Sequence, residues 1–287
     1  MLSPSQPPLL RDLWSPLCPS GFLGFNERIF VVLMAYIDES YTGKAEPITF
    51  GLNCVYSSGA DWFWITNEWQ KVIQRKNGEL LSAGRKIITR VRAADLNNYQ
   101  GDFEEWCGDE RTEFIQNLIH KALNGNFLSS VGFTANLQEL GTIWPETKYE
   151  GVITHSYDMM LQLIMKRLAE YIPEQFGAGE SVSLIHDRCP YDGVLLATFN
   201  KVLHSKPEWK SLFTTIAPKG WEHCVALQPA DFIAYEAMKE TNRLRPSEKQ
   251  RDRRQSLSAI LGLPHVMAIC EEILPEQFRE WRDAAQV

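Results

Sequence analysis

Residues 29–37 read IFVVLMAYI and run directly into Asp38-Glu39-Ser40. The segment is rich in β-branched side chains and apolar on both parities, so neither of its faces suits water. It predicts a central strand covered on both sides, with a carboxylate at its end. Residues 48–56 (ITFGLNCVY) follow a turn containing Gly43, close enough for an antiparallel hairpin. Strands are also expected over residues 129–137, over 181–186 with Asp187 closing it, and over 212–217. Helices are expected over residues 61–74, 111–124, 155–172 (stopped by Pro173), 191–204, 229–239 and 257–273. Strands interleaved with helices on both faces predict an α/β fold with a mixed β-sheet. Five of the 15 prolines fall in the first nineteen residues, which marks residues 1–28 as an extended Pro-rich arm. The main domain is expected over residues 29–240. A charged linker and a C-terminal helix are expected over 241–287, as a helical extension.

The 287 residues carry 29 Lys and Arg against 36 Asp and Glu, a net charge of −7, so the mean field repels polyanions. Any nucleic acid would have to be held by a local basic patch. Six scattered cysteines with no Cys-x-x-Cys pair read as reduced thiols. The longest apolar run is far short of the ~20 residues that span a bilayer and has no cleavage site beside it. A cytoplasmic protein with no membrane partner is the expectation.

Three acids stand at the ends of apolar elements: Asp38, Asp187 and Asp231, the last in LQPADFIAYEAM. Strand ends and helix starts gather at one edge of an α/β sheet, where sites form. Singly, each has a structural reading. Asp38 and Asp187 can begin turns, and Asp231 can serve the dipole in the first turn of a helix opened by Pro229. The positions three, four and seven after Asp231 are Ala234, Tyr235 and Met238, which turn its stripe toward the sheet. Asp38 shares its strand face with Tyr36, Met34 and Val32. Inward carboxylates raise one another's pKa and need a partner. A hard divalent ion such as Mg²⁺ or Mn²⁺ would serve.

Two short motifs carry a resemblance. Tyr36-Ile37-Asp38-Glu39-Ser40 and Leu227-Gln228-Pro229-Ala230-Asp231-Phe232 resemble the domain of unknown function 3800 family, and Arg92-Ala93-Ala94-Asp95-Leu96 with Trp106 is similar to its middle segment. The resemblance spans roughly residues 30–240. It implies an RNase H-like fold, related to retroviral integrases and transposases. It also implies a nuclease or strand-transfer site in which Asp38, Asp187 and Asp231 hold two divalent ions, with Glu39 and Gln228 as accessory positions. The alternative is a catalytically silent module that binds nucleic acid or a protein partner. Two positions depart from the family: Tyr41 follows the acidic triplet where glycine is usual, and Arg92 stands where histidine is common.

Other constellations compete. His186-x-x-Cys189 and His223-Cys224 offer four zinc-type ligands, although an adjacent His-Cys pair fits one tetrahedron poorly. His186 either packs beside Val182 and Leu184 or touches substrate from the rim. Residues 71–92 carry seven Lys and Arg against Glu79 alone, and residues 239–254 include Arg251, Arg253 and Arg254. Both runs read either as solvated faces or as phosphate tracks. Trp62, Trp64 and Trp69 serve the core or stack on bases.

Overall fold

In the computed structural model, residues 32–42, 49–144, 147–244 and 252–285 are described. The expected Pro-rich arm, the turn at Gly43 and Arg251 lie outside these residues. Strand β1 (Val32–Thr42) pairs antiparallel with β2 (Thr49–Ser58) and parallel with β4 (Ser181–Asp187). β2 continues antiparallel to β3 (Leu128–Asn136), and β4 pairs parallel with β5 (Phe213–Lys219). With β6 (Val266–Glu272) parallel to β3, the order is β5-β4-β1-β2-β3-β6, a mixed sheet. This is the α/β architecture expected, a mixed six-stranded sheet.

Helices cover both faces because β1 is apolar on both parities. On one face Leu33, Ala35 and Ile37 meet Met160, Leu161 and Ile164 of α5 (Tyr149–Phe176) and Leu195 and Phe199 of α6 (Asp192–Ser205). On the other, Tyr36 and Val55 meet Trp62 and Trp69 of α1 (Gly59–Ser82) and Phe232 of α7 (Leu227–Leu244). The same cluster takes in Leu96 of α2 (Ala93–Asn98) and Phe114 of α3 (Gly108–Leu118). The short α4 (Leu137–Ile143) adds Leu137 and Leu140 to the first cluster.

Three local expectations are corrected. Pro173 does not stop its helix: α5 runs on to Phe176 and ends at Gly177 with φ 97°. In a last turn the missing N–H costs a single intrahelical bond, which the preceding apolar stripe outweighs. The helix expected over residues 257–273 divides into α8 (Gln255–Leu261) and β6, with α9 (Pro275–Ala285) after it. Gly262 and Pro264 break the period, and the following residues find an open ladder on β3. Third, α7 opens at Leu227, so Asp231 is its fifth residue rather than part of its first turn. The dipole effect fades within that turn, and the structural reading of Asp231 weakens with it.

Arg254 ties these elements together. It sits at the start of α8 and donates from Nε to Glu236 Oε2 (2.8 Å) and from Nη2 to Glu236 Oε1 (3.0 Å), and it also reaches Asn97. Glu236 is 0% exposed. Removing one partner of such a pair strands a buried charge. Arg254→Ala should therefore cost about 2–4 kcal/mol in urea unfolding, and replacing both Arg254 and Glu236 by Leu should recover most of it. An unchanged unfolding midpoint in Arg254→Ala would show that Glu236 is solvated by another route.

Candidate carboxylate site at the β1–β4 edge

β1 and β4 run parallel, so the β4 terminus lies level with the middle of β1. Ile37 pairs with His186, which brings Asp38 level with Asp187. Asp38 does not close its strand as expected. β1 continues to Thr42 because β2 keeps the ladder going on its other side, with Asn53 directly opposite Asp38. Side-chain alternation puts Asp38 with Tyr36, and Asp187 with Ile185, on the face covered by α7. Glu39 and His186 fall on the face of α5 and α6.

Asp231 descends from α7 onto this edge, where its charge acts on the buried Asp38. Burial, and then the Asp231 charge, hold Asp38 well above the usual carboxylate range, and burial raises Asp231 also. Asp187 adds its charge to both Asp38 and Glu39. Burial brings Glu39 up to about 7. The three Asp lie at one edge and on one face, and the charges of Asp231 and Asp187 both act on Asp38. They do not pack as a tight triad: among the described residues, the group whose ligand atoms all lie within 4.8 Å of one another is His186, Cys189 and Asp192.

The segment between α1 and α2 lies across the start of α7 and is held at almost every residue. Asn77 Oδ1 accepts the N–H of Ile88 at 2.7 Å, and Asp102 accepts the N–H and the hydroxyl of Thr89, both at 2.7 Å. Gln228 Oε1 accepts the N–H of Val91 at 3.0 Å, and Asp231 Oδ2 accepts that of Ala93 at 2.7 Å. Gln228 is buried, so its role is to fix this segment. The fixed backbone delivers Arg90 and Arg92 to the acids. Arg90 Nη2 donates to Asp187 Oδ2 at 3.0 Å, with its guanidinium 5.0 Å from the centre of the Trp221 ring. The Arg90 Nε is buried and without a partner. Arg92 is exposed, and its charge reaches both Asp231 and Glu39. The Tyr41 hydroxyl lies 3.1 Å from that of Tyr157.

The basic runs are largely spoken for. Lys76 and Arg85 both meet Glu110, Lys86 meets Asp102 and Lys71 meets Glu68. The acidic stretch after residue 92 thus neutralises the basic stretch before it. Arg253 meets Glu240 and Arg254 meets Glu236. Trp62 and Trp69 are core residues, and Trp64 is partly exposed beside Phe63. His186 is 3% exposed, beside Val182 and Leu184, and His223 is exposed apart from it. No helix among the described residues is long and apolar enough to cross a membrane.

Sequence reasoning missed Arg90 as the partner of Asp187, and Asp192 as a neighbour of His186. The first contact spans 97 residues and has no local signature. The second was legible as the i, i+3, i+6 spacing His186, Cys189, Asp192. No family model matches the chain, and no curated protein matches it.

The carboxyl pair sets a pH dependence. Glu39 moves from an ordinary 4.5 to about 7, and Asp38 moves in the same direction. The folded state then holds more protons than the unfolded state between those values. Stability from these groups is full below about 4.5 and falls as pH rises toward and past 7. Asp38→Asn keeps a hydrogen-bonding side chain and removes the charge. It should raise the metal-free Tm at pH 8 by about 2–8 °C, equivalent to about 1–2 kcal/mol, and change it little at pH 5. Equal shifts at both pH values in thermal scans would show that the Asp38 charge is not what opposes folding.

Proposed function

We propose that the chain is a divalent-metal-dependent nuclease or strand-transfer enzyme acting on nucleic acid phosphodiesters. The observation that carries this reading is the buried Asp38–Asp231 carboxyl pair, level with Asp187 at the β1–β4 edge. Two buried carboxyls, one raising the pKa of the other, are a place where a cation can relieve the repulsion, and an all-oxygen donor set suits Mg²⁺ or Mn²⁺. Asp38, Asp187 and Asp231 would hold the ions. When bound, such ions supply an activated water and neutralise charge on the leaving oxygen.

The chain's own residues have separable tasks. Arg90 neutralises Asp187 while the acids are metal-free. Arg92 and Arg188, both exposed at this edge, counter the −7 net charge locally, since charges beyond about 8 Å are largely screened at physiological salt. Glu39, on the opposite face of β1, is raised by burial to about 7 and adds its charge to Asp38. Gln228 and the Asp231 contact to Ala93 keep the arginine segment in register. The resemblance to the domain of unknown function 3800 family supports the same assignment through its two short motifs.

A second reading is favoured by one contact. The Arg90–Asp187 pair occupies a carboxylate that metal binding needs, as it would in a silent RNase H-like module that binds nucleic acid or a protein partner.

Incubation with labelled single- and double-stranded DNA and RNA in Mg²⁺ and in Mn²⁺ decides between them. The enzyme reading expects ion-dependent cleavage that Asp38→Asn and Asp231→Asn each slow by more than about 100-fold, since each ligand supports several kcal/mol of charge stabilisation. Binding without cleavage in wild type would select the silent module.

A further inference from the structure

The opposite face of the same strand end holds a second group with different chemistry. His186 is the penultimate residue of β4, Cys189 lies in the loop after it, and Asp192 opens α6. One ligand atom from each lies within 4.8 Å of the other two. His186 Nδ1 is 3.5 Å from Asp192 Oδ1. The loop is already folded around this geometry. Asp192 Oδ1 accepts the N–H of Cys189 at 2.9 Å, the Asp192 N–H returns to the Cys189 carbonyl at 3.2 Å, and His186 Nδ1 lies 2.9 Å from the Asp187 carbonyl. Pro190 stiffens the turn between them.

We propose that His186, Cys189 and Asp192 bind a zinc ion, with a fourth coordination position left to water. A thiolate, an imidazole and a carboxylate together form a mixed soft and borderline donor set, which selects Zn²⁺ or Co²⁺ over Mg²⁺ and Ca²⁺. In a tetrahedral zinc site the ligands lie about 2.0–2.3 Å from the ion, so side-chain shifts alone close a group already within 4.8 Å. Asp192 has a second oxygen for the ion while its first keeps the Cys189 N–H. Binding exchanges the thiol proton, released to solvent, for the ion. Cys189 and Asp192 are both partly exposed, which leaves an entry path. Glu39, on the same sheet face, adds negative charge at Cys189 and so draws a cation toward the group. Three protein ligands with one open position is the layout of reactive zinc sites rather than of closed structural ones. The ion would sit across β4 from the three-Asp edge, and the assignment is independent of the nuclease reading.

The test is a Co²⁺ titration of the full chain, reduced and carrying no histidine tag, followed by absorption. One equivalent of Co²⁺ should give the thiolate-to-cobalt charge-transfer band in the near ultraviolet with the visible bands of a four-coordinate ion, and Zn²⁺ should abolish both. Cys189→Ser should lose the charge-transfer band. Asp192→Asn, which keeps an oxygen for the Cys189 N–H and therefore the loop, should retain the band at an affinity more than about tenfold weaker. The double variant Asp38→Asn with Asp231→Asn should leave the titration unchanged. A wild-type chain with no charge-transfer band, or a band that survives Cys189→Ser, overturns the assignment. So does an unchanged Co²⁺ affinity in Asp192→Asn, which also covers the case in which Cys189→Ser does not fold.

Discussion

Two carboxyl groups buried against each other cannot both be charged, and the rest of the β1–β4 edge is organised around that constraint. Asp38 comes from the central strand and Asp231 from the helix packed over it, so their electrostatic interaction lies where sheet meets helix, with both side chains buried. The same Asp231 carboxyl takes the N–H of Ala93, and Gln228, three residues before it, takes that of Val91. One turn of α7 therefore places the acids and also the segment that brings arginines to them. The cost of burying the acids is offset by the apolar packing of Ala230 and Phe232, the neighbours of Asp231.

What could be read from sequence follows the range of the interactions. The central strand, its antiparallel neighbour and the inward stripe of α7 depend on side-chain periods of two and 3.6, which are local. The alignment of Asp38 with Asp187 follows from two strand ends and a parallel pairing. The Arg90–Asp187 pair was not legible, nor was the cancellation of the basic run by Glu110 and Asp102. These partners meet only once α1, α2 and α3 have packed. Asp192 is the contrary case: its spacing from Cys189 and His186 was in plain view, and attention to the His223-Cys224 pair concealed it. The division of residues 257–273 into a helix and a strand needed knowledge of a free strand edge, which only the assembled sheet supplies.

Alternation along β4 separates the two groups of donors. His186 and Asp187 are neighbours in the chain and face opposite sides, one toward Cys189 and Asp192, the other toward Asp38 and Asp231. A backbone contact between His186 Nδ1 and the Asp187 carbonyl connects them. The three Asp carboxyls lie on one face and the mixed donors His186, Cys189 and Asp192 on the other.

The pairing of β6 with β3 has a consequence for how the chain is completed. β3 is buried along all but its last residue, and every apolar side chain on it is inward. Until residues 266–272 are in place its outer row of N–H and C=O groups is an unprotected edge of long, flat, apolar backbone, the kind that templates pairing between molecules. The opposite edge is better guarded, because β5 is short and ends in Pro218-Lys219. During synthesis the sheet therefore stays open at this edge until β6 has emerged. A nick or truncation before β6 would leave that edge exposed and prone to pairing between molecules, while the carboxylate edge, three strands away, stays chemically intact.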